Sequence, residues 1–291
     1  MITPVQQDVL IPFAFEKLPV RGAVVQLGSA WQELLSCHDY PPSVRQVLGH
    51  AAAAVPLIVA TLKDGSSVTL QITGDGPLSM LVMQCDSKLR FRGLANASEI
   101  AGDLPFETMA AGARCAITID HERSERPYQG IVDVNESTLA ASLENYFRRS
   151  AQLPSHLALV GGETACGGLL LQQLAGAKTP IGDDWRRLGL LADTLRASEV
   201  AGGIGNDLLR KLFAEDDLRV FSPRPARFFC RCSRARAQQV LKLLGEAECG
   251  SDDDEVVVVT CEYCGSRESF DAVDLAAIFA EDPAPRSDAL H

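Results

Sequence analysis

Two cysteine pairs near the end of the chain, Cys230-Arg231-Cys232 and Cys261-Glu262-Tyr263-Cys264, are separated by 28 residues. They restrict the fold more than any other feature. Four thiolates at such spacing can close a tetrahedral zinc site. Cys-x-x-Cys is a standard half-site, and the less common Cys-x-Cys makes the pattern more specific. The residues around them read as a small module with a helix over Arg234–Leu244, a strand over Glu255–Thr260 and a last helix near Ala272–Phe279. From Glu281, with Pro283 and Pro285, the tail is expected to fray. Roughly 55 residues make a marginal core, for which structural metal is a usual remedy. A zinc–thiolate site contributes on the order of 10 kcal/mol of folding free energy. Two readings stand at this point. One is a permanent zinc ribbon. The other is a switch, because zinc binds thiolates and not disulfides, so oxidising either pair removes two of four ligands.

The chain has nine cysteines in all. An odd count in a 291-residue chain whose first twenty residues carry Asp8 and Glu16, without a basic start and apolar run, implies a reducing, cytosolic compartment. Arg231, Arg234 and Arg236 surround the first pair and would favour thiolate there, or else form a solvated basic face. Cys249, beside the acidic run Asp252–Glu255, reads as a bystander. Cys37, Cys85, Cys115 and Cys166 read as isolated small apolar residues of the first domain.

Residues 1–178 read as an α+β core domain. Strand signals fall at Gly22–Leu27, Ser67–Ile72, Leu78–Gln84, Leu89–Leu94, Arg114–Ile119 and Gln129–Val134. Helix signals fall at Ser29–His38, Pro42–Leu62 and Ser137–Ser150. Strands in adjacent runs with helices between the blocks predict α+β rather than a doubly wound sheet. The apolar run Ala51–Leu62 contains Pro56 and is too short to span a bilayer, so it predicts a buried helix. Residues 179–225 read as a metastable helical linker. Ile181, Trp185, Leu188, Leu191 and Leu195 form one apolar stripe with Ala192 beside it, and Leu208, Leu209, Leu212 and Phe213 form a second. Gly202, Gly203 and Gly205 separate them. Helices this short are unstable alone and must dock. Residues 226–291 read as a C-terminal zinc-binding domain.

The Cys-x-Cys…Cys-x-x-Cys pattern resembles the bacterial thirty-three-kilodalton heat-shock protein family of redox-regulated chaperones. So do Trp31-Gln-Glu-Leu-Leu with His38-Asp-Tyr-Pro-Pro42, Gly74-Asp-Gly-Pro-Leu78, Tyr128-Gln-Gly-Ile-Val132, Leu143-Glu-Asn-Tyr-Phe147, Val220-Phe-Ser-Pro-Arg-Pro225 and Phe270-Asp-Ala-Val-Asp274. The resemblance covers nearly the whole chain. It implies one zinc ion per chain, held by Cys230, Cys232, Cys261 and Cys264 in a reduced, inactive state. It further implies that oxidation forms Cys230–Cys232 and Cys261–Cys264 disulfides and releases zinc. The module and linker would then lose structure, and an active homodimer would hold unfolding or oxidatively damaged clients without ATP. The smaller, more strained Cys230–Cys232 ring should form second. Melting of the linker would free Trp185, Leu188, Leu195, Leu209, Leu212 and Phe213 for clients.

Other functions find less in the sequence. Gly202-Gly-Ile-Gly-Asn-Asp207 lacks the strand–turn–helix context of a dinucleotide site, and no nucleophile elbow or paired histidines appear, so no enzyme is expected. A thiol–disulfide oxidoreductase using Cys261 and Cys264 is the alternative within redox chemistry. A nucleic-acid-binding zinc ribbon is the alternative among binding modules. A net charge of −11 argues against phosphate-backbone binding, and no nucleic-acid or membrane partner is expected.

Overall fold

The computed structural model describes residues 8–98, 102–176, 181–203, 206–249 and 256–280. The expected fraying of the tail from Glu281, the acidic run 252–255 and Gly205 lie outside them. The fold is mixed strand and helix, α+β. Its contacts divide it into two units between Phe229 and Cys230.

The first unit has two antiparallel sheets. One consists of β1 (Val9–Phe15), β2 (Val20–Leu27), β8 (Ser155–Val160), β9 (Cys166–Gln173) and β10 (Leu218–Val220), in the order β10-β1-β2-β9-β8, with the two-residue β11 (Arg224–Pro225) also on β1. The other consists of β3 (Ser66–Thr73), β4 (Leu78–Cys85), β5 (Arg90–Ala97), β6 (Arg114–His121), β7 (Tyr128–Val132) and β12 (Arg227–Phe228), in the order β12-β5-β4-β3-β6-β7. Only β12 runs parallel to its neighbour, β5. Helix α1 (Ser29–Leu35) leads into α2 (Pro42–Val59), which packs against both sheets. From Val47 to Val59 nearly every side chain of α2 is buried, as a helix apolar on all sides requires. The apolar run read as a buried helix is therefore the centre of the core. Among the described residues no helix is long and apolar enough to cross a membrane. Helix α3 (Phe106–Met109) is a single turn, and α4 (Leu139–Tyr146) is capped by the Thr138 hydroxyl, which accepts from the Ala141 N–H.

The strand signals correspond to β2 to β7 with ends shifted by at most three residues, but β1, β8 and β9 carry no clear signal. The first sheet is covered on both faces, so its strands do not alternate. Leu10, Ala23, Val25 and Leu170 face the α2 core, while Val9, Ile11, Phe13, Phe15, Val24, Leu169 and Leu171 line the opposite face. Pro12 and the pair Gly167-Gly168 further break any strand pattern.

That opposite face is covered by α5 (Gly182–Ala192), α6 (Ala197–Gly202) and α7 (Asn206–Leu212), which occupy the segment expected as a linker. Ile181, Leu188, Ala192, Leu195, Leu208, Leu209, Leu212 and Phe213 are buried there with Val200, and Trp185 is partly buried. Phe213 packs against Phe15 at 5.2 Å and Phe13 at 5.9 Å between ring centroids. Phe13 in turn lies over Gly22, directly across the β1–β2 ladder, and a Cβ on Gly22 would meet its ring carbons at 2.7 Å or less. Gly22→Ala should therefore push this aromatic cluster off the sheet. A loss of about 1–3 kcal/mol is expected, read from a thermal or denaturant transition of the first unit. An unchanged transition would mean that the Phe13 ring has free space to move into.

The second unit contains α8 (Arg234–Leu244), the hairpin of β13 (Val257–Thr260) and β14 (Arg267–Phe270), and α9 (Ala272–Ala280). Helix α8 spans the same residues as its sequence signal. The Ser233 hydroxyl accepts from the Arg236 N–H at its start, and Gly245, at φ 87°, ends it. Its buried core among the described residues is Ala237, Leu241, Cys249, Phe270 and Ile278.

Candidate metal centre

The chemistry of the second unit is set by two turns. Cys230 and Cys232 flank Arg231 immediately before α8. Cys261 and Cys264 lie in the turn of the β13–β14 hairpin, where the Gly265 N–H donates to the Cys261 carbonyl at 2.8 Å and the Cys261 N–H donates to the Ser266 carbonyl at 2.8 Å. Gly265 is at φ 67°, a left-handed conformation that a glycine adopts without strain and that lets the turn fold back under both sulfurs.

These turns bring the Sγ atoms of Cys230, Cys232, Cys261 and Cys264 within 4.8 Å of one another. Cys230 lies 3.6 Å from Cys261, and Cys232 lies 3.3 Å from Cys264, sulfur to sulfur. A tetrahedral site with metal–sulfur bonds of about 2.3 Å has sulfur–sulfur edges of about 3.8 Å. The cluster thus matches a closed four-thiolate site, and a metal ion fits it. All four cysteines are half-buried.

The local electrostatics favour ligation. Burial raises the cost of a thiolate at Cys230. The Cys232 backbone N–H and the thiols of Cys261, Cys264 and Cys232 outweigh it, bringing Cys230 down to about 7. Burial leads the causes that push Cys232 and Cys264 up, and the Cys230 and Cys261 sulfurs add to it at both. One thiolate among four close sulfurs suppresses ionisation of the rest, which is the condition a divalent cation relieves.

Of the arginines expected to promote thiolate, Arg234 has a different role. The largest influences on Cys230 are burial, the Cys232 N–H and the neighbouring sulfurs. Arg234 instead ties the unit together: it donates to the Ser269 carbonyl at 2.9 Å and to the Asp274 carboxylate at 2.7 Å, and sits 4.4 Å above the Phe270 ring. The sequence shows an arginine near the cysteines but not its partners 35 and 40 residues onward.

The remaining cysteines are placed apart from the cluster. Cys249 is buried in the apolar core of the second unit. Cys85, Cys115 and Cys166 are buried in the first, where burial pushes their thiols up, Cys115 to about 12. Cys37 is half-buried and donates to the Glu33 carbonyl. The residues expected to meet clients are not at a surface: Leu188, Leu195, Leu209, Leu212 and Phe213 are buried against the first sheet and Trp185 packs at their edge.

The chain is similar to known proteins over almost its full length. A family model described as Hsp33 protein matches residues 8–271. A 33 kDa chaperonin of Nitrosococcus oceani is 41% identical over 284 residues, covering 94% of this chain and 95% of the relative. A 33 kDa chaperonin of Cronobacter sakazakii is 38% identical over 280 residues, covering 94% and 95%. Among solved structures, the crystal structure of the 33 kDa chaperonin from Thermotoga maritima aligns with a TM-score of 0.81 at 21% identity, covering 94% of this chain and 98% of that one, a likeness of fold.

Proposed function

Because this chain belongs to the Hsp33 family, whose members are chaperones and not enzymes, we propose that it is a redox-regulated, ATP-independent holdase of the cytoplasm, locked by zinc when reduced. The observation that carries the reading is the four-sulfur cluster, set in a unit whose described core is only five buried residues. So small a core needs a staple. Cys230, Cys232, Cys261 and Cys264 would hold one zinc ion, which when bound keeps the four sulfurs as thiolates and cross-links both turns.

Activation takes electrons from the sulfurs. Forming Cys230–Cys232 and Cys261–Cys264 disulfides removes two electrons per pair. With hydrogen peroxide as the oxidant, each pair reduces one peroxide to two waters. A disulfide sulfur no longer serves as a thiolate ligand, so zinc leaves and the second unit loses its staple.

The linker follows. Its helices have 11, 6 and 7 residues, too short to persist undocked. Their release would bare Trp185, Leu188, Leu195, Leu209, Leu212 and Phe213, together with the sheet residues Phe13, Phe15, Val24 and Leu169 that they cover. That apolar area suits unfolded and oxidatively damaged clients and, in the activated state, a homodimer. The net charge of −11 keeps the exposed form soluble and disfavours nucleic acid.

The test follows zinc with a metallochromic dye and client aggregation by light scattering in one sample. Reduced, zinc-loaded protein receives peroxide with mild warming, then reductant with zinc. Zinc should leave as aggregation suppression appears, and both should reverse. Should zinc stay bound, or leave with no suppression, the cluster is a permanent staple and the chaperone activity lies elsewhere.

A further inference from the structure

Ion pairs of Lys17 with Asp217 and of Glu16 with Arg219 join the linker segment to the rest of the first unit, and a further charged contact has a geometry that depends on a proton. His156, on β8, lies beneath α5, its ring 3.7 Å from where a Cβ on Gly189 would stand. Its Nδ1 is 3.1 Å from Glu144 Oε1 on α4, and its Nε2 is 2.9 Å from Asp193 Oδ1 at the end of α5. The same Glu144 oxygen accepts the Leu157 N–H at 2.7 Å, which fixes the carboxylate on the strand.

Both ring nitrogens therefore face carboxylate oxygens. A neutral imidazole donates from one nitrogen only and presents a lone pair at the other. Only the imidazolium can donate to Glu144 and Asp193 together. Asp193 adds a reason for the charge, since it is the C-cap of α5, where the helix dipole disfavours an anion. Unclamped, Asp193 weakens the helix end; with His156 protonated, it pins that end to β8.

We propose that His156, clamped between Glu144 and Asp193, is a proton-operated latch that holds α5 on the first unit, so that the linker opens more readily as pH rises. The charged groups facing the ring are Glu144 from α4 and Asp193 from the end of α5. From β9 the residue opposite is Leu171, and the groups with the largest influence on the ring besides burial are Glu144 and Asp193. Burial works against the imidazolium, but Glu144 and Asp193 outweigh it and hold His156 above 6.5. The sign follows. The docked linker binds the proton more tightly than the open one. Docking is therefore fully supported below 6.5 and weakens as pH rises through the higher value of the docked state. The latch would thus make redox activation easier in alkaline conditions and harder in mild acid. This consequence for client capture rests on the linker release proposed above; the latch itself does not.

Local hydrogen exchange of the α5 amides, read by mass spectrometry on the full reduced, zinc-loaded chain and corrected for intrinsic rates, tests it without any redox step. From below 6.5 to well above it, α5 protection should fall roughly three- to tenfold in the native chain while bound zinc stays constant. In His156→Gln, protection should start low and lose its pH dependence. Asp193→Asn, at a side chain more than half exposed, should do the same without disturbing the core. Protection that does not change with pH in the native chain, or that changes equally in His156→Gln and Asp193→Asn, overturns the latch. Failure of the redox reading would leave this result intact, because the four cysteines stay reduced throughout.

Discussion

Cys264→Ser should leave the α2 core of the first unit folded and melt the second unit. A four-thiolate site contributes on the order of 10 kcal/mol, whereas a core of this size supplies at most a few. Losing one ligand forfeits much of the first figure with nothing in the second to replace it. Amides of α8, β13, β14 and α9 should exchange at rates close to those of an unfolded chain, with bound zinc far below one per chain. The thermal transition of the core around α2 should stay in place, since that core is separate from the one the linker helices cover and from that of the second unit. If zinc acts as the lock, this variant should also suppress client aggregation without oxidant. Native protection in a metal-free second unit would show that Ala237, Leu241, Phe270 and Ile278 suffice and that the cluster is not the staple. A molten second unit with no gain in client capture would separate the staple from the switch.

Phe213→Ala attacks the other end of the mechanism. Phe213 is 1% exposed and closes the aromatic cluster with Phe13 and Phe15. Truncating such a side chain costs about 3–5 kcal/mol. The cost falls on helices that exist only while docked. Exchange across α5 to α7 should accelerate by about 100-fold or more, since 1.4 kcal/mol is a tenfold change. Zinc should stay bound, because no ligand is touched. Client capture should then appear in a reduced, zinc-loaded chain. Gly22→Ala disturbs the same contact from the sheet side and keeps Phe213, so the pair separates release of the linker from loss of one client contact. An opened linker that captures no client in either variant would remove this face from the client surface.

Several parts of this arrangement were legible in the sequence because their physics is local. Thiolates must sit one or two residues apart to share a metal from one turn, so the knuckles announce themselves by spacing. Helix α8 carries its own boundaries in Ser233 and Gly245, and the two meet its start and end. Helix α2 shows as a long apolar run because it is buried all round. The linker stripes were visible as helical periodicity, and they are the residues that dock.

The rest came from contacts between residues far apart in sequence. Strands β1, β8 and β9 give no alternating signal, because the first sheet buries one face under α2 and the other under α5 to α7. Arginines beside Cys230 looked electrostatically connected to it, yet Arg234 is spent on Asp274, Ser269 and Phe270. His156 reads as one of five scattered histidines, and only the fold sets Glu144 and Asp193, 12 residues before and 37 after it, on its two nitrogens. The sequence alone determined which groups could hold a metal and which helices could not stand alone, because both follow from neighbours along the chain. What the linker covers, and which proton holds it there, was decided by tertiary structure, because those contacts exist only after the sheet has closed.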